Sequence, residues 1–289
     1  MALNRKKHKT FFDDELSSTA FLTLYPRIFT EIPYSRLLYD LVSDSIEILD
    51  SQIKLIDYKK PFLAPELEYR YKVIDEVINS SSFDVIVEIG SGFSTRGLNF
   101  SKKGVDYLEV DLIDISTIKN KIYNQLLYSK GNDIVKVPMS ISGSVLIQKT
   151  WQEIRSYISN RKALFINEGL MRYFNKNQKT YVGRQIATVI KKTGGAWITA
   201  DVTLDRLLNF QKKTVLNKKN EIDEFVTKRS SEYTFSSLNN ARDFFHKITG
   251  LKIITHKPDH LFLHSIQALG LTNKETNRII EHVYIFEIQ

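Results

Sequence analysis

The chain is predicted to be an α/β protein with a doubly wound, mainly parallel sheet of seven strands. Short apolar runs rich in β-branched residues alternate with helical patterns, and a glycine-rich segment directly follows the first run. Strands separated by helical segments of about ten or more residues imply right-handed βαβ crossovers, and hence parallel strands. The 289 residues, 42% of them hydrophobic, suffice for one large domain with a full core.

The region before the first strand is predicted to be helical. Residues 19–58 contain few helix breakers, and Leu37 and Leu41 belong to an apolar set at helical spacing, which predicts two or three helices. The segment "APELEYRYKVIDEVINSS", residues 64–81, then predicts a helix that contributes to the core. Pro65 would stand at the first helical position, where its missing N–H costs nothing.

Seven segments are predicted to form the strands, and one further segment near the carboxyl terminus predicts a helix. The strands are "FDVIVEI" (83–89), the end of "SKKGVDYLEV" (101–110), "NDIVKVPM" (132–139), "KALFIN" (162–167), "GGAWITADV" (194–202), "LKIITH" (251–256) and "HVYIFEI" (282–288). The late helix is "LNNARDFFHKI" (238–248). Gly194 and Gly195 are predicted to end the helix before the fifth strand, and Trp197 is predicted to be buried.

Composition excludes several kinds of chemistry. The chain has no cysteine, which rules out disulfides, thiolate metal sites and a cysteine nucleophile. The formal charge of +8 favours acidic partners only weakly, because the basic residues are spread along the chain. The basic cluster within residues 1–16 is interpreted as a flexible tail and not as a nucleic-acid site. No apolar stretch approaches the roughly 20 residues that span a bilayer and no secretory signal is evident, so we expect no membrane association and a cytoplasmic location.

The segment "VIVEIGSGFSTRG", residues 85–97, carries the main functional signal. A glycine-rich turn between a parallel strand and a helix lets the backbone approach a ligand closely. A dinucleotide fingerprint asks for G-x-G-x-x-G, whereas here Gly90, Gly92 and Thr95 occupy the three positions and Gly97 follows two residues late. The glycines therefore have an alternative interpretation, in which they serve only tight packing between strand and helix.

Acidic residues flank this loop. The second strand ends in "YLEVDL", which places Glu109 and Asp111 about 20 residues beyond the glycines, where an acid can accept both hydroxyls of a ribose. Glu88 directly precedes the loop and could hold it, or accept from an ammonium group. An amino-acid ammonium favours S-adenosylmethionine over NAD as the ligand. The alternative for each acid is a solvated strand end.

Six motifs together resemble the leucine carboxyl methyltransferase superfamily, with the nearest likeness to the bacterial O-methyltransferases associated with polyketide biosynthesis. The motifs are "LEYRYKVIDEVI", "VEIGSGFSTRGLNF", "YLEVDL", "FINEGLMRYF", "GGAWITADV" and "FSSLNNARDFF". The likeness extends from about residue 17 to the carboxyl terminus. It implies the Rossmann-like fold of class I methyltransferases in a single domain over residues 17–289. The domain would comprise a helical amino-terminal lid (17–64) and a core (65–289) with a lid insertion near 203–235.

The resemblance implies S-adenosylmethionine as cofactor and assigns roles at matching positions. Arg70 would pair with the methionine carboxylate, and the loop Gly90, Ser91 and Gly92 would face the methionine part. Asp111 would accept from the ribose with Glu109 as a weaker candidate, and Glu168 would lie near the sulfonium. Relatives place an acid after the third strand for the adenine amine. This chain has "KVPMSISGS" there, so Ser140, Ser142 or the backbone would take that contact.

The predicted activity is an S-adenosylmethionine-dependent O-methyltransferase acting on a carboxylate or hydroxyl of a small, anionic molecule. Methyl transfer from a sulfonium is an in-line displacement that needs alignment and exclusion of water more than acid–base chemistry. No residue is assigned as a catalyst; Tyr173 is a candidate for positioning the substrate, with simple aromatic packing as its alternative. Two other functions stay open, a protein-carboxyl or tRNA methyltransferase and a non-catalytic module that binds the cofactor.

Two further patterns are given structural interpretations. His256, His260 and His264 are spaced by four, but Pro258 interrupts a shared helix, so no metal site is predicted. The "GSGFS" stretch lacks the central serine of a nucleophile elbow because Phe93 stands between Gly92 and Ser94, which argues against a hydrolase.

Overall fold

The computed structural model describes residues 19–49, 61–128, 134, 136–205, 234–258 and 261–289. In this part of the chain seven strands form one sheet in the order β3-β2-β1-β4-β5-β7-β6. The strands are β1 Val85–Ile89, β2 Tyr107–Asp111, β3 Met139–Ser142, β4 Ala163–Asn167, β5 Ala196–Thr199, β6 Ile253–His256 and β7 Ile285–Ile288. Neighbours among β1 to β5 are parallel, and β7 lies antiparallel between β5 and β6. The predicted fold class is confirmed.

The α-helices of the described residues lie before, between and after these strands. They are α1 Leu24–Arg27, α2 Ser35–Leu49, α3 Ala64–Asn79, α4 Arg96–Lys102, α5 Ile113–Tyr128, α6 Gln148–Ile158, α7 Lys176–Thr193, α8 Leu238–Thr249, α9 His264–Ala268 and α10 Asn273–Ile280. Short 3-10 turns span Thr19–Thr23, Pro61–Leu63 and Met171–Tyr173. Pro65 is the second residue of α3, one position later than predicted.

The strands of the centre of the sheet are buried on both faces. Val85 and Val87 pack with Trp151 of α6 and Ile186 of α7, whereas Ile86 faces the opposite side and packs with Ile74 of α3. Alternate residues of a strand point to opposite faces, so a continuous apolar run is what two helical layers require. A third cluster of buried apolar residues joins α2 to α5.

Most predicted elements are confirmed, and the third strand is the clear exception. The sequence predicted a strand over 132–139, but β3 begins only at Met139 and pairs with β2 from Leu108 onward. Residues 136–138 lie outside the strand, and Pro138 has no N–H to donate to a ladder. Residues 132, 133 and 135 of the predicted strand lie outside the described residues. The strand is therefore shorter and later than its apolar residues suggest.

The carboxyl-terminal end of α7 lies where the two glycines predicted it. Gly194 adopts the left-handed conformation with φ +74° and its N–H donates to Ile190 O at 2.7 Å. A Cβ at Gly195 would lie 1.8 Å from Ala163 O, so β5 can approach β4 only with glycine there. Trp197 is fully buried, as predicted.

Parts of the predicted organisation lie outside the described residues. They are the tail 1–16, residues 17–18 and 50–60 of the amino-terminal lid and nearly all of the lid insertion near 203–235. Within the part of the chain that is described, no helix is both long and apolar enough to cross a membrane.

Candidate functional site

A cavity of about 320 Å³ opens at the carboxyl ends of β1, β2 and β4. In a doubly wound sheet this is the edge where ligands bind, because the strand ends and helix starts there leave the backbone accessible. Seven of the predicted site residues line it, namely Arg70, Gly90, Ser91, Gly92, Asp111, Glu168 and Tyr173. The motifs of the sequence therefore converge on one cavity.

The glycine loop has a backbone shape that other residues rarely adopt. Gly90 has φ +64° and Gly92 has φ +49°, both in the left-handed region. A Cβ at Gly90 would lie 2.8 Å from Leu170 Cδ1, so the position also lacks space for a side chain. At Gly92 the nearest atom to such a Cβ, on Ala20, is 3.7 Å away, and this glycine is required for conformation alone.

Gly97 serves packing and not the cavity. A Cβ there would lie 2.5 Å from Glu109 Oε1 and 3.1 Å from the Tyr107 ring, because α4 crosses close over β2. The packing interpretation of the glycines thus holds for the third one. Gly90 is also packed, against Leu170, but Gly90 and Gly92 differ from Gly97 in that they line the cavity.

Asp111 closes the loop against the end of β2. The Gly92 N–H donates to its Oδ2 at 2.5 Å, and the Leu112 N–H donates to its Oδ1 at 2.7 Å. Burial raises the pKa of Asp111, and the two backbone N–H groups oppose that rise by stabilising the anion. The carboxylate is held in place by backbone while its residue still borders the cavity.

Arg70 and Glu168 form the charged wall at the other side of the glycine loop. Arg70 Nη1 donates to Glu66 Oε1 at 2.6 Å, and its Nε donates to Glu168 Oε1 at 3.3 Å. Burial alone would raise the pKa of Glu168, but the charges of Arg70, Arg96 and Arg27 hold it below the usual value. Glu168 is therefore an anion at neutral pH.

Arg96 bonds Glu168 of this wall, and the sequence analysis assigned no role to it. It is fully buried and donates to Asp75 at 2.9 Å, to Glu88 at 3.1 Å and to Glu168 at 3.2 Å. Its guanidinium also lies over the Tyr71 ring, 4.3 Å from the centroid. The arginine of the "STRG" stretch was the available signal, and only the fold shows which acids surround it.

Three predicted site residues do not line the cavity. Glu88 is buried and accepts from Arg96 and from the Tyr107 hydroxyl, which is compatible with the first of its two predicted roles, holding the loop. Glu109 is buried, lies 2.7 Å from the Lys119 ammonium and accepts from the Tyr123 hydroxyl. Ser140 of β3 also lies outside the lining, as does the alternative Ser142. Their neighbours beyond β3, Gly143 and Ser144, border the cavity instead.

Two arginines that the sequence did not single out also line the cavity. Arg27 ends α1, and its buried Nη1 has no hydrogen-bond partner among the described residues. Burial lowers its pKa, and the charge of Glu168 partly offsets that effect. Arg172 lies in the 3-10 turn after β4, and its Nε likewise is buried without a partner. Such donors in a cavity wall can bind an anion.

Tyr173 and the histidines complete the list of candidates. Tyr173 borders the cavity and also packs on the main apolar cluster, so both of its interpretations are compatible with its place. His256 pairs with Glu287 at 2.7 Å, and His260 lies outside the described residues. No group of three metal-ligating side chains occurs in the described ranges.

Comparison with solved structures finds the same fold at low sequence identity. The methyltransferase domain of bacterial CtHen1 aligns with a TM-score of 0.50 and 9% identity over 76% of this chain and 97% of that one. A putative O-methyltransferase from Nostoc punctiforme PCC 73102 aligns at 0.45 and 12% over 97% and 71%. PigF, solved with SAH, aligns at 0.44 and 13% over 79% of this chain, which spans little more than half (56%) of PigF.

The match to the CtHen1 domain, at a TM-score of 0.50, supports the predicted Rossmann-like methyltransferase fold, and at this identity it shows the fold alone. No protein-family model matches the chain. No curated protein matches it by sequence either. The predicted membership of the leucine carboxyl methyltransferase superfamily therefore stays a prediction from the motifs.

Proposed function

We propose that the protein is an S-adenosylmethionine-dependent methyltransferase that methylates an oxygen atom of a small molecule. The observation that carries the proposal is one cavity bordered by the glycine loop, by the acid that ends β2 and by an anion after β4. The fold supports the same activity, and so does the family resemblance of the motifs. The leucine carboxyl methyltransferase superfamily and its polyketide-type branch are part of this proposal.

The residues of the cavity fit this cofactor. Gly90 and Gly92 border the cavity without side chains, so the backbone there can come close to a ligand. Asp111 would bind the ribose hydroxyls, with its carboxylate already oriented by the loop N–H groups. Glu168 would complement the positive charge of the amino-acid end, while Arg70, which is bonded to Glu168, orients it. When bound, the cofactor supplies a methyl group activated by a positively charged sulfur.

The protein's part in the reaction is to orient the cofactor and the acceptor and to exclude water. Glu168 is an anion in a poorly hydrated wall, where its interaction with positive charge is strong. Arg172 offers an unpartnered Nε from the same wall, which supports an anionic acceptor. A carboxylate acceptor reacts as the anion and needs no general base, so this arrangement favours a carboxylate over a hydroxyl. Tyr173 would position the acceptor from the adjoining turn.

The first experiment is calorimetric titration with S-adenosylmethionine and S-adenosylhomocysteine, followed by methyl transfer from deuterated cofactor into a metabolite extract. We expect micromolar binding and a labelled product whose mass rises by one methyl group. Mild alkali should remove the label from a methyl ester but not from a methyl ether, which separates the two acceptor classes. Absence of binding would refute the proposal, and binding without any transfer to small molecules would favour a macromolecular acceptor or a non-catalytic module.

A further inference from the structure

We propose that Arg27 binds the carboxylate of the cofactor's amino-acid end, a contact that the family resemblance assigns to Arg70. The inference rests on the proposed function and concerns a residue of the same cavity. It follows from how the two arginines are already bonded. Both line the cavity, but their guanidinium groups differ in the number of anions that they contact.

Arg27 is a buried cation that contacts no counter-ion among the described residues. The residue is 8% exposed, and its side chain makes no ion pair or side-chain hydrogen bond within that part of the chain. An isolated charge taken out of water is costly unless an anion joins it. The planar guanidinium offers parallel N–H groups that match a carboxylate in two hydrogen bonds. Arg27 is therefore a cavity residue whose bonding an incoming carboxylate would complete.

Arg70 is already satisfied by two carboxylates of the protein. Glu66 accepts from its Nη1 at 2.6 Å and Glu168 accepts from its Nε at 3.3 Å. A ligand carboxylate at Arg70 would stand beside these two acids, and like charges at short range repel. The bonding of Arg70 fits a positioning role, in which it aims Glu168 at the cavity.

Arg27 and Glu168 together suit a zwitterion. Glu168 borders the cavity as an anion, and its charge and that of Arg27 already interact. An amino-acid end presents one carboxylate and one ammonium, which would meet Arg27 and Glu168 respectively. A ligand without this end would make neither contact. This difference makes the inference testable with two related nucleosides.

The test compares S-adenosylhomocysteine with 5′-methylthioadenosine, which has the nucleoside and sulfur but lacks the amino-acid end. Calorimetry would be run on wild type, Arg27→Gln, Arg27→Lys and the matched control Arg242→Gln. Arg242 is exposed on α8 and its side chain bonds Thr255, outside the cavity lining. Arg27→Lys retains the charge without the planar fork, so a folded variant remains available if removal of the charge harms folding.

We expect Arg27→Gln to weaken S-adenosylhomocysteine binding by about tenfold or more, because a charge-assisted contact is lost. Arg27→Lys should give a smaller loss, and methylthioadenosine should bind every variant like wild type. Unchanged S-adenosylhomocysteine affinity in Arg27→Gln would overturn the inference, and so would an equal loss for both nucleosides. A wild-type protein that binds neither nucleoside would instead overturn the proposed function, and the inference would fall with it.

Discussion

Arg96 Nη2 donates to Glu168 Oε2 at 3.2 Å and joins the helix after the glycine loop to the segment after β4. These two segments follow neighbouring strands, since β1 pairs directly with β4. The same guanidinium also bonds Glu88 at the end of β1 and Asp75 of α3. One buried cation thus organises acids from three elements behind the cavity.

Replacement of Arg96 by methionine should destabilise the protein severely. The variant would leave Glu88 and Glu168 buried without their shared cation, and breaking a buried ion pair in this way costs about 3–5 kcal/mol. Urea denaturation followed by circular dichroism measures the free energy of unfolding. Arg242→Met, on the surface of α8, is the matched control and should change it little. A small loss for Arg96→Met would mean that the network contributes little to stability.

The two acids of the second strand should differ in how much their replacement weakens ligand binding. Asp111→Asn should weaken S-adenosylhomocysteine binding by about tenfold or more, because Asp111 borders the cavity and would accept from the ribose. Glu109→Gln should weaken it much less, since Glu109 is enclosed by Lys119 and Tyr123. Calorimetric titration of both variants tests this. Equal losses would place both acids at the ligand.

Glu109 should make stability fall as the pH rises. Burial raises the pKa of Glu109 from 4.5 to about 7, although Lys119 opposes the shift. The folded state therefore retains a proton that the unfolded chain has lost, and the free energy of unfolding should decrease between about pH 4.5 and pH 7. Glu109→Gln mimics the protonated acid, so its stability relative to wild type should increase over this range. Urea denaturation across these pH values measures the difference, and a constant difference would contradict the assignment.

Gly90→Ala should be worse than the same change at Gly104. Both residues have positive φ, so each alanine would carry the strain of a left-handed conformation, about 1–2 kcal/mol. At Gly90 the new Cβ would also collide with Leu170, whereas nothing lies within 4 Å of one at Gly104. The free energies of unfolding should differ accordingly, and only Gly90→Ala should also reduce S-adenosylhomocysteine affinity. Equal stability losses would show that Leu170 moves aside at little cost.

Local pattern was enough to predict the strands of the sheet centre and the glycine loop. A strand buried between two helical layers must be continuously apolar, and a left-handed backbone strongly favours glycine, so both leave a signal in a few adjacent residues. Asp111 was predictable for the same reason, because the end of β2 lies at the cavity whatever the remaining topology. The third strand was misplaced because an apolar run does not show that the pairing begins only after Pro138.

The direction and partners of charged side chains depend on packing between distant segments. Glu109 and Asp111 are two residues apart and share one face of β2, yet α4 and α5 cover the first, while the second reaches the strand end. Arg27, Arg96 and Glu168 are far apart in the chain and meet at one wall only when the sheet and helices assemble. Spacing along the sequence does not predict such contacts, because the packing of the sheet and helices, and not the number of residues between two segments, sets their separation in space.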